Sequence, residues 1–266
     1  MGKHLYYNLG MNYFFQNLKN NIDFFLRKNL DFSRKNYFVM NEHKDNLFNS
    51  TNLKEREQFL FQKYELEFLK LNSSRENYLE NLYILDVLDK YLEIDFKVNL
   101  NVLDIGCKNW FYAKGEYFFF KKFSENLTLK GIEIDANRLY TNFYTRKEVA
   151  QFHIKNLFGA EYIAGDFLAQ KEKFDYIVWV LPFITKSPFV KWGLPLKYFQ
   201  PEKMLKHAYE SLNPNGKIFI INQGAEEYEE QKKLCGNLGI SYQVLDKVDS
   251  EFIQYENKRY SIVITN

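Results

Sequence analysis

The sequence contains little cysteine and no long apolar segment. Its two cysteines, Cys107 and Cys235, stand far apart among 266 residues, which excludes the disulfide framework of a small secreted domain. No apolar run reaches the roughly 20 residues that a membrane-spanning helix needs. Residues 1–19 also lack the apolar stretch of a signal peptide. We therefore expect a cytoplasmic protein without a membrane span.

Neither positive nor negative charge is in large excess. Lys and Arg number 36 against 34 for Asp and Glu, a formal net charge of +2, which is too small to attract a polyanion over a broad surface. Within residues 3–35, six bases outweigh Asp23 and Asp31, and this excess could favour an acidic partner. The bases are Lys3, Lys19, Arg27, Lys28, Arg34 and Lys35. A solvated helix surface is the plainer interpretation.

Residues 1–95 carry helical periodicity and almost no strand pattern, so we expect a helical N-terminal extension or lid. Helices are predicted at residues 11–30, 53–71 and 75–92, and Ser73 and Glu76 have the spacing of a capping box before the third. The first helix has apolar side chains at the spacing of one helix face: Phe14, Phe15, Leu18, Ile22, Phe25 and Leu26. Apolar residues on these helices could equally cover a partner subunit, which leaves a homo-oligomer open.

Short runs rich in Ile, Val and Leu replace this pattern from about residue 100. Five have the composition of strands buried on both faces: residues 100–106, 127–134, 161–167, 174–181 and 217–222. Helices are predicted between them, including one at residues 135–157 with Asp135 as N-cap. Residues 241–248 and 259–265 are expected to form an antiparallel pair. The alternation predicts an α/β fold in residues 96–266, with a doubly wound, mostly parallel, Rossmann-like sheet.

Acidic residues stand at the ends of three successive predicted strands, at Asp104, Glu133 and Asp166. The carboxyl ends of parallel strands form the ligand crevice of such a sheet. A dinucleotide would favour a full glycine fingerprint at the first turn, and its pyrophosphate would be repelled by a carboxylate. Here Asp104 precedes the single Gly106. This arrangement favours a ligand with positive charge, such as S-adenosylmethionine with its ammonium and sulfonium groups.

The order of these segments resembles the class I S-adenosylmethionine-dependent methyltransferases. The matching pieces lie within roughly residues 80–266 and are VLDIGC (102–107), KGIEID (130–135), AGDF (164–167), FDYIVW (174–179) and LNPNGK (212–217). No single piece is specific, but all five follow the family's order and spacing. The resemblance implies an enzyme whose cofactor is S-adenosyl-L-methionine.

For the methionine and ribose parts of the cofactor, the resemblance implies four contacts. Asp104 and the backbone of Gly106 and Cys107 would lie beside the methionine moiety. Glu133 would accept hydrogen bonds from both ribose hydroxyls, as a carboxylate with two acceptor oxygens can. On the residues alone, Asp104 is also a candidate to cap the following turn, and Cys107 is more simply a small packing residue.

For the adenine and the reacting methyl group, the resemblance implies four further contacts. Asp166 would accept a hydrogen bond from the adenine amino group, and Ile134 and Phe167 would form apolar walls around the ring. Trp179 would lie near the methyl group. On the residues alone, Asp166 could instead begin a turn.

Two residues depart from the family pattern. Lys108 stands where a second glycine is common, which makes the turn after Gly106 bulkier. Val180 stands where amino methyltransferases carry an amide or acid before Pro182 and Phe183. Without that acceptor, we do not expect methylation of an exocyclic or amide nitrogen by their mechanism.

The acceptor side is predicted to include residues 181–200, a long loop at the mouth of the crevice. Four of the five prolines lie in it or just after it: Pro182, Pro188, Pro195 and Pro201. We assign Pro182, Phe183, Lys191 and Trp192 to the acceptor, although a solvated loop pinned by its aromatic residues is an equal alternative. His153 and His207 fall in predicted helices and are expected to be structural. No catalytic base and no metal ligand are assigned.

Three functions are consistent with these residues. A methyltransferase with a small-molecule acceptor is favoured, because the helical extension is large enough to form a lid. An RNA or protein methyltransferase that docks through the basic N-terminal helix is the second, so a nucleic-acid partner stays possible. The third is a methyltransferase-like binding or scaffold protein that has lost catalysis, suggested by Lys108, Val180 and the missing base.

Overall fold

The protein is described here from a computed structural model. It describes residues 2–30, 34, 37–45 and 47–266, with side chains for all of these except residues 2–12 and 246. The side chain of Lys3, and Asp31 and Lys35 entirely, therefore lie outside the described residues. Among the helices in the described ranges, none is both long and apolar enough to cross a membrane.

Seven strands form one sheet in the order β3-β2-β1-β4-β5-β7-β6. They are β1 (Lys97–Ile105), β2 (Ser124–Glu133), β3 (Ala160–Ala164), β4 (Phe174–Val180), β5 (Leu212–Gln223), β6 (Tyr242–Val248) and β7 (Arg259–Thr265). The first five pair in parallel, whereas β7 pairs antiparallel with β5 and β6. The predicted fold class is confirmed, including the antiparallel C-terminal pair.

Nine α-helices lie in the described part of the chain. They are α1 (Gly2–Lys28), α2 (Thr51–Tyr64), α3 (Glu67–Leu71), α4 (Arg75–Tyr91), α5 (Ala113–Lys121), α6 (Arg146–Ile154), α7 (Lys186–Lys191), α8 (Pro201–Glu210) and α9 (Gly224–Asn237). The predicted helix at residues 53–71 is broken at Glu65, whose φ of 54° is left-handed. The predicted loop at residues 181–200 contains α7 and a 3-10 turn.

The start of α4 at Arg75 is confirmed, but its predicted N-cap and the predicted start of α6 are wrong. Ser74, not Ser73, caps α4, because its side chain accepts the N–H of Asn77, and the Ser73 hydroxyl donates to Leu69 O instead. The helix predicted from Asp135 begins eleven residues later, at Arg146. Thr145 is its N-cap and forms a capping box with Glu148. Residues 136–145 are turns, closed by a bridge between Leu139 and Thr145.

Both faces of the sheet are covered. On one face, Leu82 and Leu85 of α4 and Phe120 of α5 share a core with the strands. On the other face, Leu205 of α8 and Tyr228 of α9 do so. Helix α1 packs against neither core and forms a third, smaller cluster, in which Phe24 meets residues of α7 and the turn after it. The division into residues 1–95 and 96–266 stays a prediction, since α4 belongs to the core of the sheet.

Candidate active site

A cavity opens where β1, β2 and β4 end, and it encloses about 880 Å³ of empty space, counted with the solvent at its mouth. Nine of the residues predicted for the site line it: Gly106, Glu133, Ile134, Asp166, Phe167, Trp179, Pro182, Phe183 and Trp192. Asp104, Cys107 and Lys191 are not among its lining residues. Consecutive parallel strands bring their carboxyl ends to one edge, which is why residues so distant in sequence meet here.

The turn after β1 is built on three left-handed residues, Gly106 (φ 73°), Lys108 (φ 56°) and Trp110 (φ 45°). Its backbone is anchored to β2, because the N–H of Gly106 donates to Ile132 O at 2.8 Å. Trp110 is fully buried beneath the turn. Gly131 allows this packing, because a Cβ there would stand 2.8 Å from the Trp110 ring.

Asp104 lies under this turn rather than in the cavity, and it is fully buried. Its side chain projects to the α4–α5 face of the sheet, where the Trp110 indole N–H donates to Glu116 Oε2 at 2.8 Å. Burial raises the pKa of the Asp104 carboxyl, and burial with the charge of Asp104 raises the pKa of Glu116. Asp104 thus supports the turn from below and does not line the cavity, and its contact with a methionine moiety stays a prediction.

Cys107 is also fully buried, and burial raises the pKa of its thiol well above 9.0. Its Sγ would stand 2.8 Å from a Cβ at Gly131. The side chain therefore packs between the turn and β2. Only its backbone could meet a ligand.

Glu133 is 5% exposed and its carboxylate already accepts several hydrogen bonds. Oε2 accepts the backbone N–H of Lys108 at 3.0 Å, and Oε1 accepts that of Asp135 at 2.8 Å. Arg146 Nη1 lies 3.4 Å from Oε1. Because a carboxylate has about four acceptor positions, Glu133 keeps capacity for a further donor.

Asp166 follows β3 and caps a short 3-10 turn. Its Oδ1 accepts the N–H of Leu168 at 3.0 Å, which is the turn that the residues alone suggested. The same side chain lines the cavity. Phe167 begins this turn, and its ring contacts that of His207 at a centroid distance of 4.8 Å. Capping and ligand binding are therefore compatible at Asp166.

Three cations surround the Trp192 ring. Lys108 Nζ lies 4.9 Å from its centroid, and the guanidinium carbons of Arg146 and Arg138 lie 5.3 and 5.8 Å from it. Sequence reasoning missed both arginines, because residues 135–157 were assigned to one helix. Lys108 was noticed only as a departure from glycine. Its position within the turn after β1 was the signal that could have identified it.

Residues 186–200, which include α7, form a cover over the cavity, and α1 packs against this cover. Asn20 Nδ2 donates to Val190 O at 2.9 Å and to Leu194 O at 3.1 Å. Arg27 forms an ion pair with Asp135 at 3.0 Å and donates to Gly193 O at 3.1 Å. Polar contacts therefore hold α1 to the cover, while Phe24 fills the small apolar contact between them.

No family model matches this sequence, and no curated protein is significantly similar to it. Solved structures do match. A methyltransferase from Pyrococcus furiosus superposes with a TM-score of 0.50 at 18% identity, over 81% of this chain and 98% of the other. A SAM-dependent methyltransferase from Aquifex aeolicus has a TM-score of 0.49 at 14% identity, over 70% and 90%. At such identities a likeness shows the fold alone, and the superposition on the Pyrococcus furiosus structure confirms the predicted Rossmann-like α/β fold.

Proposed function

We propose that the protein is an S-adenosylmethionine-dependent methyltransferase whose acceptor is a small molecule enclosed beneath α1 and α7. The observation that carries this proposal is that two acids, Glu133 and Asp166, line one cavity at the ends of neighbouring strands. The same cavity is also lined by aromatic side chains, among them Phe183, Phe189 and Phe199. A cavity of this composition can hold a polar nucleoside at one side and an organic acceptor at the other.

The residues present fit the cofactor. Glu133 has acceptor capacity left for ribose hydroxyls, and Asp166 offers an oxygen for an exocyclic amino group. Ile134 and Phe167 line the cavity between them. Gly106 has no Cβ, and nothing lies within 4 Å of where one would be, so a ligand can approach its backbone.

When bound, S-adenosylmethionine supplies an electrophilic methyl group on its sulfonium. The chain's own contribution is positioning, because in-line alignment alone can provide much of the rate of such a displacement. Trp179 at the end of β4 and Leu181, which follows it, would form the floor beneath an acceptor. The cover held by Asn20 and Arg27 would exclude water from it.

Calorimetric titration with S-adenosylmethionine tests the proposal. The wild type is expected to bind, and Glu133→Gln and Asp166→Asn should each weaken binding by about 10-fold or more, because each removes an acceptor of charge-assisted hydrogen bonds. Glu161→Gln is the matched control, since that acid is on β3 with its side chain 59% exposed. Absence of binding by the wild type, or unchanged binding in both site variants, would contradict the proposal.

A non-catalytic binding protein is the second candidate. The observation that favours it is Arg146 at 3.4 Å from Glu133, a position that competes with a ribose hydroxyl. A screen of diverse acceptors with methyl-labelled cofactor separates the two candidates, because one methylated product excludes the second. Binding without any product favours it.

The described residues give less support to docking on RNA or protein through α1. Arg27 is turned inward to Asp135, and Lys19 is paired with Asp23 at 2.8 Å. Affinity for such a partner would fall steeply with salt concentration. Binding to RNA that did so would revive this alternative.

A further inference from the structure

Lys108 is held in the lining of the cavity by its backbone. Its N–H donates to Glu133 Oε2 at 3.0 Å, and its carbonyl accepts the hydroxyl of Tyr162 at 2.6 Å. These two contacts fix the residue between β2 and β3. The direction of its side chain is thereby set, with the ammonium 4.9 Å from the centroid of Trp192.

The backbone conformation at Lys108 would suit glycine better. Its φ of 56° is in the left-handed region, which costs a residue with a Cβ roughly 1 kcal/mol. Glycine would avoid this cost and would leave the turn less bulky. In its backbone conformation, lysine has no advantage over glycine at this position. Any contribution of Lys108 must therefore come from its side chain.

The Lys108 ammonium has unused hydrogen-bond donors. Its Nζ makes no hydrogen bond or ion pair with any residue that the structure describes. The two arginines around Trp192 differ from it, because Arg138 is paired with Asp135 at 2.6 Å and Arg146 approaches Glu133. Burial lowers the pKa of Lys108, and the charge of Arg146 lowers it further. A partly buried cation without an acceptor is costly unless an anion completes the site.

The acids near Lys108 are already engaged. Glu133 accepts two backbone N–H groups and faces Arg146. Glu80 accepts the hydroxyl of Tyr255 at 3.2 Å. The other charged groups that act on the ammonium are cations, Arg146 and Arg259. An anion that satisfies Lys108 must therefore come with the ligand.

We propose that Lys108 is a carboxylate-binding residue of the cavity, and that its ammonium pairs with a carboxylate of the bound ligand. The inference rests on the proposed function, because that function defines which ligands enter. Two ligands could bring this carboxylate. One is the cofactor, through its amino-acid end, and the other is an acceptor with an aromatic or apolar body. Lys108 is thus assigned a specificity role that a glycine at this position could not have.

The test compares ligands with and without a carboxylate in wild type and Lys108→Met, which keeps the stem over Trp192 but removes the charge. The cofactor arm uses S-adenosylhomocysteine against methylthioadenosine, which lacks the amino-acid end. The acceptor arm uses phenylacetate against the neutral phenylacetamide. Lys108→Arg should retain the preference for carboxylates. Lys206→Met, an exposed lysine of α8 with its Nζ 3.8 Å from Glu210, controls for the loss of one positive charge.

We expect Lys108→Met to lower the affinity for the carboxylate ligand of one arm by about 10- to 100-fold, which corresponds to the loss of one charged hydrogen bond. The affinity for the uncharged ligand of the same arm should fall by less than about 2-fold. If only the affinity for S-adenosylhomocysteine falls, the carboxylate belongs to the cofactor. If only the affinity for phenylacetate falls, it belongs to the acceptor. Unchanged affinities in both arms overturn the inference. Equal losses for charged and uncharged ligands also overturn it, because they indicate a purely structural role.

The two proposals fail in different ways. If the wild type binds neither adenosine ligand, the proposed function fails, and the inference then depends on the acceptor arm alone. If the wild type then also binds phenylacetate no better than phenylacetamide, the inference is overturned as well. If Lys108→Met does not fold, Lys108→Gly replaces it, since glycine suits the φ of 56°.

Discussion

Asp104 and Glu116 form a buried pair of acids beneath the turn that carries the site. Both are fully buried, and burial raises the pKa of each, with Asp104 raising that of Glu116 further. Two adjacent carboxylates cannot both be ionised at low cost in such surroundings. Burial and the charge of Asp104 therefore favour the protonated form of Glu116, which accepts the indole N–H of Trp110 through Oε2.

This assignment predicts different costs for two substitutions of Glu116. Glu116→Gln keeps a neutral group that can accept from Trp110 and donate to Asp104, so the free energy of unfolding should change by less than about 1 kcal/mol. Glu116→Ala leaves the indole N–H unpaired and opens a cavity, and should cost about 3 kcal/mol or more. Urea unfolding measures both. Equal losses in the two variants would mean that Glu116 is ionised in the folded protein.

The sequence predicted some residues of the cavity because of where strands end. Glu133 and Asp166 line it as expected, since the ends of neighbouring parallel strands converge. Asp104 does not, because side chains alternate along a strand and its position projects to the α4–α5 face. Whether an acid at a strand end faces the ligand or the core depends on this alternation and on the turn that follows, neither of which the motif specifies.

At the scale of elements, α1 is attached by its polar face. The side chains turned toward α7 include Asn17, Asn20 and Arg27, which meet backbone carbonyls and N–H groups of the cover. The predicted apolar face is turned outward instead. Its six residues are all exposed: Phe14, Phe15, Leu18, Ile22, Phe25 and Leu26. Periodicity identified α1 but not which of its faces packs inward. The partners of its polar face are free carbonyls near the end of α7, and free carbonyls leave no pattern in a sequence.

Asn20 is predicted to keep the cover closed. It is 1% exposed, and its amide donates to Val190 O and Leu194 O. Asn20→Leu keeps similar volume but removes both donors and leaves two carbonyls unpaired. Amide hydrogen exchange in residues 186–200 should then accelerate about 10-fold or more, as expected when about 1–3 kcal/mol of local stability is lost.

Asn29→Leu is the control for this experiment. Its amide reaches only Phe25 O of its own helix at 2.8 Å on an exposed surface, so exchange in the cover should stay at the wild-type rate. If Asn20→Leu also leaves that rate unchanged, α1 does not secure the cover.

The whole molecule shows which parts of a fold depend on distant partners. The alternation of strands and helices, the mostly parallel sheet and the antiparallel C-terminal pair follow from local pattern and were predicted. The segment at residues 136–145 was not, because Asp135 is held by Arg27 and Arg138 instead of capping a helix. Arg27 is 108 residues away, so no local window of sequence contains both partners.

Acid stability is a property of the whole molecule, and two groups near α6 should lower it as the pH falls. The raised pKa values of Asp104 and Glu116 act in the opposite direction, because the folded chain binds their protons more tightly. His153 is buried among aromatic rings, and neither ring nitrogen has a hydrogen-bond partner among the described residues. Burial, with the charges of Lys114 and Lys155, lowers its pKa from 6.5 to about 3. For Glu148, burial acts to raise the pKa, but the hydrogen bonds from Arg34 and Thr145 outweigh it and lower the pKa from 4.5 to about 2.

The two groups predict two pH windows. In the unfolded chain His153 takes up a proton below pH 6.5, whereas in the folded chain it stays neutral down to about pH 3. The stability that neutral His153 provides above pH 6.5 is therefore lost as the pH falls toward 3. Between pH 6.5 and 4.5 this loss should be up to about 1.4 kcal/mol per pH unit. The contribution of ionised Glu148 is complete above pH 4.5 and disappears only below it.

His153→Phe should therefore remove the His153 contribution to the slope in the upper window, because phenylalanine keeps the ring contacts and has nothing to protonate. Urea unfolding between pH 6.5 and 4.5 measures the slope for each variant. His43→Gln, at an exposed position, should follow the wild type throughout. Glu148→Gln should keep the upper slope and lose only the decline below pH 4.5. A wild-type slope in His153→Phe would show that other groups control the upper window.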